Sequence, residues 1–165
     1  MNTIARIVSI CQNGESYPTV EAHREAMLVH VRAALKERPD MIVMPEAFTS
    51  VGVPGPASAS AETVPGPTTD AFAAVAREAR TYILCPMHTR HGDRIHNSVV
   101  IIGRDGSIVG MYHKHCPVTT SCDYTVLEDG ITPGDDLPVF DLDFGRIGIQ
   151  ICFDIGFPEN WQTLA

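Results

Sequence analysis

The chain has 165 residues, 44% of them hydrophobic and 19% charged, enough apolar content to bury the core of one globular domain. Its formal net charge of −8 argues against nucleic acid or an anionic membrane as partner, and no apolar stretch nears the ~20 residues that cross a bilayer. Residues 1–15 lack the basic-then-apolar layout of a secretion signal, and five cysteines, an odd number without framework spacing, fit free thiols in a reducing cytoplasm.

From the N-terminus, Ile4 to Cys11 reads as a strand. Thr19 to Glu37 reads as a helix with Met27, Leu28, Val31, Ala34 and Leu35 on one stripe, and Pro39 ends it. Asp40-Met41-Ile42-Val43-Met44-Pro45-Glu46 holds a short buried strand. Pro45 has no N–H for a ladder, so Glu46 is delivered at the strand's carboxyl edge. Val51 to Pro67, rich in Pro, Gly, Ala and Ser, is expected as an active-site loop and not as a linker between domains. Thr68 to Arg80 reads as a second helix with Phe72, Val75, Ala76 and Ala79 inward. Tyr82 to Met87 and Ile95 to Gly103 are strands, the latter turning through Asp105-Gly106 into Ile108 to His113, which Lys114 closes. Residues 115–136 form a long loop, and loops of that length usually carry function. Val139 to Leu142 and Arg146 to Ile151 make a second hairpin around Asp143-Phe144-Gly145. Cys152 then stands at the carboxyl end of a strand, ahead of a helix opened by Pro158-Glu159. Open α/β sheets place ligands and chemistry at such strand ends.

Taken singly, Cys152 reads as a buried structural thiol, Glu46 as a surface acid and Lys114 as a solvated base. The set is what signals: a thiol, a carboxylate and an ammonium, each released at the end of its own apolar strand. A free thiol has a pKa near ~8.5, so little of it is thiolate at neutral pH. A neighbouring carboxylate takes its proton as it attacks, and a fixed ammonium lowers the thiol pKa and stabilises a developing oxyanion. The backbone N–H of Phe153, next to the nucleophile, is a candidate second oxyanion donor. Together these groups describe nucleophilic acyl transfer without histidine.

Three motifs carry a resemblance: Val43-Met44-Pro45-Glu46-Ala47-Phe48, Gly110-Met111-Tyr112-His113-Lys114, and Ile149-Gln150-Ile151-Cys152-Phe153-Asp154-Ile155-Gly156-Phe157-Pro158-Glu159. Spacer features accompany them in order: Val64-Pro65-Gly66-Pro67-Thr68 before a helix, Asn97-Ser98 opening a strand, and Thr132-Pro133-Gly134. The sequence resembles the carbon–nitrogen hydrolase (nitrilase) superfamily over essentially its whole length. The resemblance implies an α/β fold, a four-layer αββα sandwich with mixed sheets. It implies Glu46 as general base, Lys114 as the oxyanion-stabilising cation and Cys152 as nucleophile. A further positioning glutamate falls on Glu128, with Asp129 adjacent. The implied activity is hydrolysis of a small-molecule amide, nitrile or N-carbamoyl compound, with linear amides preferred and no cofactor or metal. Homo-oligomers are expected for the full-length protein.

The chain also departs from the family. Cys116 stands where many relatives have a histidine two residues after the lysine, and Ile155 and Gly156 stand where many carry a carboxylate-binding arginine. An arginine fork is the natural receptor for a carboxylate, so its loss argues for a neutral or differently held substrate. The sequence ends at Ala165, about one turn into the helix after the nucleophile. The resemblance therefore implies an N-terminal portion of the domain over residues 1–165, weakly active and poorly soluble alone. Two other readings compete: a non-catalytic relative acting as a binding module, and a metal site from His113, His115, Cys116 and Cys122, whose spacing matches no standard zinc pattern.

Overall fold

The computed structural model describes residues 4–12, 14–119 and 128–165. Its main sheet has five strands in the order β1 (Ile7–Ser9), β2 (Met41–Val43), β3 (Tyr82–His91), β4 (Arg94–Ile102) and β5 (Ile108–His113). The first three run parallel, and β4 and β5 continue antiparallel. A second, two-stranded sheet pairs β6 (Val139–Leu142) with β7 (Gly145–Gly148). The helices are α1 (Val20–Ala34), α2 (Ala57–Ser60), α3 (Pro67–Ala79) and α4 (Pro158–Leu164).

Local chemistry sets the helix starts. Thr19 caps α1 by accepting from the Ala22 N–H at 3.1 Å. Pro67 opens α3, where the Glu62 carboxylate also takes the free Thr68 N–H at 2.8 Å. Ala79, expected inward, is exposed at the end of α3, while the rest of its stripe and the centre of the α1 stripe face in: Met27, Leu28 and Val31 from α1 and Phe72, Val75 and Ala76 from α3. They pack with Ile42, Ile83, Cys85, Met87, Val100 and Ile102 on one face of the main sheet.

The opposite face buries Leu84, Val99, Ile101 and Tyr112 against the second sheet, with Phe140, Leu142 and Ile147 packed on them. Gly110 permits this approach, since a Cβ there would lie 2.5 Å from the Phe140 ring. Side chains alternate along a strand. With Ile147 facing the core, Gly148 faces outward, and Leu164 of α4 lies against it. The layers therefore run helix, sheet, sheet, helix, the four-layer order expected. Among the described residues no helix is long and apolar enough to cross a membrane.

Some boundaries differ from the sequence reading. β1 covers only Ile7–Ser9, the three residues that its short neighbour β2 can pair. Cys11, read as the end of that strand, lies beyond it and is exposed, whereas Cys85 of β3 is buried. β3 runs to His91 and joins β4 through the two-residue Gly92-Asp93 turn, a hairpin the sequence reading did not place. β7 stops at Gly148, so Cys152 does not end a strand but begins a 3-10 helix, Cys152–Gly156. The reason lies in the partner: Gly148 pairs with Val139, and the next residue back is Pro138, which has no N–H to extend the ladder.

Candidate active site

The end of the inter-sheet face collects the groups singled out in the sequence. Lys114, one residue past β5, is 1% exposed and has carboxylates on two sides. Its Nζ donates to Glu46 Oε1 at 3.0 Å and to Glu128 Oε2 at 2.8 Å. Asn97 of β4 bridges the same two acids, its Nδ2 lying 2.8 Å from Glu46 Oε1 and 2.8 Å from Glu128 Oε1. Glu128 further accepts from the Val118 N–H and returns its own N–H to Val118 O. A buried lysine is tolerable only with such pairing. Burial opposes its charge, but the hydrogen bonds it donates to Glu128 and Glu46 outweigh burial and hold its pKa above the ordinary lysine range. The Glu128 pKa, which burial would raise, is instead held low by Lys114, Asn97 and the Val118 amide.

Glu128 reaches the cluster because the segment carrying it is tied down. The Thr132 N–H donates to Ile95 O at 2.7 Å and the Gly134 N–H to Lys114 O at 2.8 Å. A Cβ on Gly134 would collide with the His113 backbone, which is why a glycine stands there. Asp129 lines the cavity beside this cluster and accepts none of these hydrogen bonds.

Cys152 shares that cavity of about 690 Å³ with Glu46, Lys114, Asn97, Glu128 and His88. Its backbone is left-handed, with φ of 46°, an uncommon conformation for a non-glycine residue. Buried Asp154 stabilises the turn: one carboxylate oxygen takes the Cys116 N–H at 2.7 Å, the other the Ile151 N–H at 2.9 Å and the Tyr112 hydroxyl at 2.7 Å. Both strained turn and anchor are features of sites that hold a side chain in a fixed direction.

The Cys152 pKa stands above the ordinary thiol value, pushed by burial and then by the negative charge of Glu46; Lys114 opposes both without prevailing. The ammonium does pull the thiol pKa down, as expected, but burial and Glu46 together outweigh it. Glu46 and the thiol line the same cavity.

The structure thus brings Glu46, Lys114, Glu128 and Cys152 together, with the Phe153 N–H one residue past the sulfur. Asn97 entered the sequence reading only as a strand opener, and Asp154 only as part of a motif. His88 and Ser50, which also line the cavity, were not singled out. At the two departures, Ile155 is exposed and Gly156 faces open space, while the Cys116 thiol sits 3.9 Å from Asn160 Nδ2. Among the described residues no three metal-ligating side chains converge; Cys122, part of the competing metal reading, lies outside them.

Comparison with known proteins is consistent across sequence and fold. The family model for carbon-nitrogen hydrolase matches residues 7–165. A nitrilase of Pyrococcus abyssi is 33% identical over 141 residues, covering 82% of this chain and 51% of that protein. The omega-amidase NIT2 of Bos taurus is 28% identical over 139 residues, covering 82% and 50%. The chain spans about half the length of the curated relatives it matches. In fold it is similar to an amidase from Nesterenkonia sp., with a TM-score of 0.77 at 15% identity over 99% of this chain and 61% of that one.

Proposed function

The chain belongs to the carbon–nitrogen hydrolase family, and from that premise we propose that its cavity cleaves a non-peptide carbon–nitrogen bond, an amide first, through an acyl-thioester on Cys152. The observation that carries this reading is the cluster itself: Lys114 held between Glu46 and Glu128, in one cavity with an accessible cysteine.

The raised thiol pKa fits a thiol that is protonated at rest and deprotonated as it attacks, so the base must be in contact with it. Glu46 is the neighbour suited to that task, with its side chain 35% exposed toward the cavity. Sγ attacks the carbonyl carbon while Glu46 takes the thiol proton. The oxyanion is met by the Phe153 N–H and by Lys114, whose ammonium has three N–H bonds and gives two to carboxylates. The carbon–nitrogen bond breaks, and Glu46 passes its proton to the leaving amine. Water then attacks the thioester with Glu46 again as base, releasing the acid and restoring the thiol. Glu128 and Asn97 act as positioning residues. By fixing Glu46 and Lys114 they remove the reorganisation that would otherwise raise the barrier.

The same groups serve a nitrile or an N-carbamoyl compound. Ammonia release from a matched panel of amides, nitriles and N-carbamoyl compounds decides among them, with Cys152→Ala as the control. Intact-mass detection of an acyl adduct at Cys152 supports the thioester route. Undiminished turnover by Cys152→Ala would overturn it.

A further inference from the structure

Directly across the β3–β4 ladder from Asn97 stands His88, 8% exposed and lining the cavity. The nucleophilic scheme makes no use of it. Its Nδ1 lies 2.7 Å from Ser50 Oγ, and Ser50 Oγ lies 3.0 Å from Ala47 O. Ala47 O also takes the Ser50 and Val51 N–H groups; with the one hydroxyl proton of Ser50 assigned to that carbonyl, the imidazole Nδ1–H is the donor to Oγ. In this tautomer Nε2 carries the free lone pair. Among the described residues no other hydrogen bond reaches the ring. Burial keeps the imidazole neutral: it lowers the His88 pKa against the pull of Glu128 and Glu46, and Lys114 adds to the lowering.

The charges around this ring are one-sided. Glu46, Glu128 and Asp129 line the cavity, and Lys114, the one cation among its described lining residues, is already bonded to the first two. A substrate carboxylate entering here would lose its hydration without gaining a cationic partner. A donor on the substrate, by contrast, meets an unpartnered acceptor on the cavity wall.

We propose, resting on the amide reading above, that His88 Nε2 is a substrate-recognition acceptor, and that the cavity selects neutral or cationic carboxamides bearing an N–H or O–H donor over carboxamides bearing a carboxylate. His88 is a specificity residue in this scheme and takes no part in bond cleavage.

The test uses three amides of similar size: 3-hydroxypropanamide, butanamide and succinamate. Their affinities are measured by calorimetry or NMR titration on the Cys152→Ala chain, where no turnover interferes. The hydroxyl compound is expected to bind about tenfold more tightly than butanamide, the worth of roughly one net hydrogen bond, and succinamate more weakly than both. Adding His88→Phe, which keeps a ring but removes the acceptor, should bring the first ratio near one. His88→Gln, which restores an acceptor oxygen, should recover part of it. A second readout needs no variant at position 88: the 15N signal of His88 Nε2 should shift on adding 3-hydroxypropanamide and stay in place with butanamide. Equal affinities for the two neutral amides, a ratio indifferent to His88→Phe, an unmoved Nε2 signal, or preference for succinamate would each overturn the proposal. If the binding ratios hold while the unaltered chain releases no ammonia, the recognition role stands and the hydrolase reading fails.

Discussion

The lysine cluster and the cysteine turn lie in one cavity but are built in opposite ways. In the cluster the reactive side chains hold each other: Lys114, Glu46, Glu128 and Asn97 are mutually hydrogen-bonded, and the backbone has only to deliver them. In the turn the reactive side chain is left nearly free, and Asp154 fixes the backbone around it through Ile151, Cys116 and Tyr112. The difference follows from what each part must do. Buried charges are stable only when paired, so the proposed base and the cation come as a bonded set. The proposed nucleophile must keep its lone pairs available, and its direction is imposed through φ and a carboxylate anchor.

The largest effect expected from breaking this comparison is at Lys114. Lys114→Ala leaves two carboxylates facing each other across a buried gap. Removing one partner of a buried ion pair costs about 3–5 kcal/mol. Turnover should be abolished and the urea midpoint should fall clearly. Should Lys114→Ala unfold no more easily than the parent, the cluster is solvated in solution and the contrast with the turn collapses.

Asp154→Asn attacks the other construction. The amide keeps the shape but has one acceptor oxygen where the carboxylate has two, for three donors. Leaving a buried donor unmet costs about 1–3 kcal/mol, so stability should fall by less than for Lys114→Ala. Amide hydrogen exchange should speed up at Ile151 and Cys116 and stay slow at Val118, which Glu128 holds independently. Acceleration at all three would mean that the two parts form one cooperative unit.

How legible each part was in the sequence follows from the same contrast. Glu46, Lys114, Glu128 and Cys152 stand in or beside motifs whose residue types announce their chemistry. Asn97 and His88 face each other across β3 and β4, and that pairing exists only once the Gly92-Asp93 turn is recognised. The Gly-Asp dipeptide between two apolar runs was the available signal. Asp154 sits two residues past the cysteine in plain view, yet its donors come from positions 112, 116 and 151, and no local pattern joins them. The end of β7 was misread because Ile149 and Ile151 are apolar and alternate like a strand. Both are buried in the inter-sheet core, and only Pro138 on the partner side stops the ladder.

Glu46→Gln sharpens the link between the two parts. As the proposed base, Glu46 is required for turnover; as a negative neighbour, it raises the Cys152 pKa. Removing its charge should therefore abolish ammonia release while shifting the pH profile of Cys152 alkylation by iodoacetamide to lower pH. The sign is fixed. Iodoacetamide reads the thiolate, a raised pKa means less thiolate at a given neutral pH, and Glu46→Gln removes one cause of the raising. Alkylation near pH 7 should thus become faster in an inactive protein. Slower alkylation in Glu46→Gln would show that the carboxylate draws the proton off the resting thiol.

The smallest effect is expected at Asp129, and it tests whether the cluster is defined by bonding or by charge alone. Glu128 and Asp129 are adjacent acids, and both line the cavity. Glu128 accepts from Lys114, Asn97 and the Val118 amide, whereas Asp129 accepts from none of these. If hydrogen bonding positions the base, Glu128→Gln should damage turnover severely, because an amide in that place presents an N–H toward donors. Asp129→Asn should leave both stability and the turnover of a neutral amide within about twofold of the parent, the ~0.5 kcal/mol range of a substitution away from special features. Parallel kcat/KM measurements on the two variants decide the matter. Equal damage from both would mean that the cavity responds to its total negative charge, and the bonded cluster would then be a consequence of burial more than a device for positioning.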